Sequence, residues 1–162
     1  MRRVMFGNLG IEEATAVLDT KVAHDMPIHG ANGDLRAARD QLRNRILGSL
    51  YSPNPPQAIA EVQMAGGERK LLNRYELVTP AVLEESISSA IDACLRRSRR
   101  AGKLLGLDAE DVIRFLHRHF VNLARTLTRH NLPSHCPEWF EDDSLQVASV
   151  APLTRRTQRR AG

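Results

Sequence analysis

Apolar residues recur at three- and four-residue intervals through most of this chain, and that period predicts helices. The clearest run spans 80–101, where Leu83, Ile87, Ala90, Ile91 and Cys94 share one face. Thr79 is a capping residue, Pro80 suits the first helical position, and Glu84 and Glu85 favour the positive end of the dipole. Arg96, Arg97, Arg99 and Arg100 crowd the other end, and Gly102 is the expected stop. A second run spans 108–130. Asp108 is its cap, Glu110 and Asp111 occupy the first turn, and Leu107 and Val112 have the spacing of a hydrophobic staple. Ile113, Leu116, Phe120, Leu123 and Leu127 form the apolar stripe; Arg114, Arg118, Arg125 and Arg129 fall opposite it, and Asn131 and Pro133 end the run. Residues 79–133 therefore read as a long αα-hairpin. Two further helices are expected at 34–50, on Leu35, Ala38, Leu42, Ile46 and Leu50, and at 11–23, on Ala14, Val17 and Leu18. The expected fold class is mainly α, a helical domain of about four main helices.

Elsewhere the pattern breaks. Pro27, Gly30, Asn32 and Gly33 mark 24–33 as a loop, and the three prolines in 53–56 forbid a helix there. In 58–78, Ala60, Val62 and Met64 alternate with polar residues before Gly66-Gly67, and Leu71, Tyr75 and Leu77 follow. A small β-hairpin accounts for this, and two short helices broken at the glycines account for it about as well. Residues 1–10 fit a strand, a packed arm or a disordered start. After Pro133 periodicity is lost; Trp139 is expected to anchor the end of the second long helix by burying its large ring. The organisation expected is one helical domain over 1–143 and a flexible basic C-terminal tail over 144–162.

Charge changes the picture more than composition does. The chain has 23 Lys and Arg, 19 Asp and Glu, and a net charge of +4, all of the excess lying in Arg155, Arg156, Arg159 and Arg160. Within the body, 94–131 holds nine basic residues against three acidic ones. A localised positive field favours nucleic acid or an acidic protein surface; a solvated helix face is the plain alternative. Only 4% of residues are aromatic, so the core must be aliphatic. No run reaches the roughly 18 apolar residues of a membrane span, so no membrane partner is expected. The basic start, Met1 to Phe6, lacks the apolar stretch of a signal peptide, and two cysteines make no disulfide framework. A cytoplasmic protein with reduced thiols follows as the expectation.

Chemistry-bearing motifs are scarce. The chain has no phosphate-binding glycine loop, no Gly-x-Ser-x-Gly elbow and no His-Glu-x-x-His. His24, Asp25 and His29, or His130, His135 and Cys136 with Cys94, have no familiar ligand spacing, and His117 and His119 sit on different sides of their helix. No catalytic residue, cofactor or metal is therefore expected.

Residues 101–115, Ala-Gly-Lys-Leu-Leu-Gly-Leu-Asp-Ala-Glu-Asp-Val-Ile-Arg-Phe, do resemble a helix-turn-helix segment. Gly102 stands four before the turn glycine Gly106; Leu107 and the cap Asp108 follow, and Val112 and Phe115 take the packing positions. The resemblance implies a small nucleic-acid-binding regulatory protein, with contacts from Arg96, Arg97, Arg99, Arg100, Lys103, Arg114, His117, Arg118, Arg125 and Arg129. The acidic start at Glu110 and Asp111 departs from the pattern, and an αα-hairpin with a Gly-Lys-Leu-Leu-Gly connector also accounts for the segment. The alternative function is a helical protein–protein interaction subunit or adaptor, pairing its apolar stripes with another chain. Both readings imply a homo-oligomer or a place in a complex.

Overall fold

The computed structural model describes residues 9–52, 57–141 and 146–153. The fold is mainly α, with 58% of the described residues helical, four long helices and a small antiparallel sheet. The expectations for 1–8, for the prolines at 53–56 and for the arginines at 155–160 lie outside the described residues.

The described residues divide into two compact units, one holding 10–52 and 80–119, the other holding Leu9, 57–79, 120–141 and 146–153. The first unit is helical. Helix α1 (Ile11–Lys21) packs against α2 (Leu35–Tyr51) and against α3 (Pro80–Ala101). Asp34 caps α2, accepting from the Ala37 backbone N–H at 3.0 Å. The expected faces are the buried ones: Ala38, Leu42, Ile46 and Leu50 on α2, and Leu83, Ile87, Ala90 and Cys94 on α3. Helix α4 (Ala109–Thr126) begins where Asp108 Oδ1 accepts from Glu110 N at 3.0 Å, and buries Val112, Leu116, Phe120 and Ala124. These stripes are covered within the chain, so they give no reason for an oligomer.

One expectation about the long pair changes. Helix α3 packs against α1 and is joined to α4 by the Arg97–Asp111 ion pair. Helix α4 stops at Thr126 instead of near 130. Asn131 ends it from a distance: Asn131 Nδ2 donates to Thr126 O at 2.8 Å, and Asn131 Oδ1 accepts from Thr128 N at 2.7 Å. The side chain thus captures backbone groups the next helical turn would have used. A short helix α5 (Leu132–His135) follows.

The second unit carries the sheet. Strands β1 (Ala58–Met64) and β2 (Arg69–Asn73) form the antiparallel hairpin, with Glu61 opposite Leu71 and Gln63 opposite Arg69. Gly67 turns it at φ +91°, a left-handed conformation that favours glycine. Where the flexible tail was expected, Val147–Pro152 form β3, antiparallel to the other edge of β1, giving the order β2-β1-β3. Trp139 is buried as expected, but its partners are the hairpin's exit turn: its indole N–H donates to Glu76 Oε1 at 2.9 Å, and Lys70 lies over its ring. Glu76 also accepts from Asn73 N at 2.9 Å, and Cys136 lies fully buried beside it.

Candidate functional site

The connector between α3 and α4, residues 102–108, is tied to both of its neighbours, α3 and the 27–29 loop. Gly102 leaves α3 at φ +65°. Leu105 is tied back to α3 at both backbone groups: its N–H donates to Ser98 Oγ at 2.9 Å, and its carbonyl accepts from Cys94 Sγ at 3.0 Å. Leu107 then pairs with the 27–29 loop as a short parallel bridge, donating to Pro27 O at 2.8 Å and accepting from His29 N at 2.9 Å. Gly106 lies so close to that loop that a Cβ would stand 2.2 Å from His29 N and from Ile28 C. Its glycine answers a close approach of two backbones. The left-handed residue of the connector is Gly102, and seven residues separate the helices, against the three or four of a helix-turn-helix turn.

This bracing leaves an apolar groove open on one side, a cavity of about 340 Å³. Helix α3 contributes Ile91, Cys94 and Leu95; the connector contributes Leu104 and Leu105; the loop contributes Met26 and Pro27, with the carboxylate of Asp25 at the loop side, away from the α3 cations in sequence. Leu104 is 70% exposed and Leu95 46% exposed, a large apolar surface to leave in water at two neighbouring positions. Sequence reasoning missed both. Leu95 lies off the buried stripe of α3, and the Leu104-Leu105 pair inside a turn was the signal available.

The ten residues expected to act together are divided. Arg96, Arg99, Arg100 and Lys103 are exposed at the end of α3, and none has a carboxylate partner among the described residues. Arg99 stands one helical turn beyond Leu95, and Lys103 is next to Leu104, so the basic cluster borders the groove. Arg97 and Arg114 instead converge on the buried Asp111, at 2.5 and 2.6 Å. The hydrogen bond to Asp111 raises the Arg97 pKa above even its usual high value. Glu110 pairs with Arg45, so both acidic residues of the α4 start are engaged within the chain. Arg118 is exposed and lies over the Phe115 ring, and His117 is half-buried. Arg125 and Arg129 are exposed but belong to the other unit.

Among the described residues no group of three His, Cys, Asp or Glu side chains gathers as a metal site would require. No helix among them is long and apolar enough to cross a membrane. No family model matches the chain, and no curated protein proves similar to it.

Proposed function

We propose that this protein is a non-catalytic interaction module whose groove between α3, the connector and the 23–27 loop takes an apolar helical segment of a partner protein flanked by acidic residues. The observation that carries this reading is the exposure of Leu95 and Leu104 in a braced cavity beside cations that pair with no carboxylate among the described residues. An amphipathic helix laid in such a groove buries its apolar side chains on the leucines. Its carboxylates meet Arg99, Arg100 and Lys103, which contribute orientation and association rate more than affinity.

Nucleic acid is the competing occupant of the same basic border. Two features weigh for the protein partner. Asp111 already engages Arg97 and Arg114, two of the expected phosphate contacts. The connector also lacks the short turn that sets a recognition helix in a groove.

The test is titration of the full chain with a synthetic helical peptide carrying Leu at i, i+4 spacing flanked by Glu, and separately with duplex DNA. Expected are amide shifts at 91–107 with the peptide, their loss in Leu104→Glu, and weak binding of a Lys-flanked analogue. DNA binding that survives Leu104→Glu but vanishes on neutralising Arg99, Arg100 and Lys103, with no peptide binding, would establish the nucleic-acid reading instead.

A further inference from the structure

A second concavity in the helical unit lies where α1 ends and α2 begins, and its charges are unevenly compensated. It is a cleft of about 770 Å³ that includes Asp19, His24, Arg36, Arg39, Asp40 and Arg43 in its lining. Both carboxylates are used by one cation: Arg43 pairs with Asp40 and with Asp19, the latter at 3.5 Å. Arg39 pairs with no carboxylate among the described residues. Its guanidinium donates to the Ala23 carbonyl and, at 2.8 Å, to the Val22 carbonyl, so two peptide carbonyls hold it in position. Arg36, one turn earlier on α2, has no partner among the described residues. The cleft thus presents two arginines that pair with no acid among the described residues, one held in place, with the His24 imidazole as a further donor.

We propose that this cleft binds a small phosphorylated ligand, its phosphate held by Arg36 and Arg39 with His24 alongside. A planar guanidinium fork matches phosphate oxygens in pairs, and charge-assisted bonds of this kind are stronger than neutral ones. The guanidinium of Arg39 loses little freedom on binding because two backbone carbonyls already hold it. The volume falls within the range of small-molecule sites, larger than phosphate alone would fill. His24 shares this cleft with three arginines and with two aspartates that both pair with Arg43, a balance that favours an anion beside Arg36 and Arg39.

The experiment is a titration of the full chain with inorganic phosphate and with pyrophosphate, followed by amide and arginine side-chain spectra. Saturable shifts at 24, 36 and 39 are expected, with pyrophosphate binding more tightly. Arg36→Gln, an exposed position whose loss leaves the Arg39 and Arg43 contacts in place, should weaken binding roughly tenfold or more. Arg69→Gln, an exposed position in the other unit, should leave it unchanged. Shifts that sodium chloride reproduces at equal ionic strength, or equal affinity in wild type and Arg36→Gln, would overturn the proposal.

Discussion

Arg97 of α3 and Asp111 of α4 meet at 2.5 Å, and this ion pair joins the two helices across their connector. The carboxylate is buried whereas the guanidinium is partly in water, so the two partners depend on each other unequally. Asp111 needs its cations to offset desolvation, while Arg97 and Arg114 can be hydrated without it.

That inequality gives the first prediction. Asp111→Ala releases two arginines into water and should cost about 1–2 kcal/mol, since partly exposed pairs are screened. Arg97→Ala removes one of two cations from a buried carboxylate and should cost at least as much. Urea unfolding of both variants measures the pair; a larger loss for Asp111→Ala than for Arg97→Ala would show that burial of the carboxylate is not the controlling cost.

Gly106 supports a sharper contrast. An alanine Cβ would stand 2.2 Å from backbone atoms of Ile28 and His29, which cannot turn aside as a side chain can. Gly106→Ala must separate the connector from the loop, breaking the two bonds between Leu107 and residues 27 and 29, at roughly 2–4 kcal/mol. Gly102→Ala has open space but a φ of +65°, and should cost only about 1 kcal/mol. Thermal melts of the two variants decide it; equal losses would show that crowding at Gly106 is relieved without separating the segments.

These two sites also mark the limit of what was legible in the sequence. The extent of α3 and the caps Asp34 and Asp108 follow from local chemistry, and the structure has them. The roles of Gly106 and Asp111 depend on Ile28, His29 and Arg97, which no spacing rule brings to them. Gly106 reads as a turn glycine from its neighbours alone. Strand β3 escaped for a related reason. Val147 and Val150 are three apart, with Ala and Ser between, so no alternation marks a strand, and its conformation follows from pairing with β1. The groove was hidden because the apolar stripes drew the reading inward, whereas Leu95 and Leu104 lie off them.

In the sheet-bearing unit, Glu76 holds one buried donor, Trp139 Nε1, and one part-buried donor, Asn73 N, each at 2.9 Å. Glu76→Ala leaves both unsatisfied and should cost about 2–4 kcal/mol, while Trp139→Phe removes one donor and some area and should cost less. Trp139 is the chain's single tryptophan, so its fluorescence reports this contact directly. Glu76→Ala should shift the emission to longer wavelength before global unfolding; an unchanged spectrum would mean that the indole is held by packing alone.

The same turn sets an alkaline limit on stability. Burial, aided by the charges of Glu76 and Glu138, pushes the Cys136 thiol from 9.0 up to about 12. Burial and the nearby Glu13 push Tyr51 from 10.0 to about 12. Both groups are neutral acids whose folded pKa lies above the unfolded one. Below pH 9 each is protonated in both states and adds no pH dependence. Above it the unfolded chain releases the Cys136 proton while the folded chain keeps it, so stability falls as pH rises. The slope is at most about 1.4 kcal/mol per pH unit, and Tyr51, half-buried, adds a smaller slope above pH 10. Urea midpoints at pH 8, 9.5 and 10.5 should therefore decline in the wild type and decline less in Cys136→Ala. Parallel declines in the two proteins would assign the alkaline loss to other groups and show that the thiol is less shielded than its full burial implies.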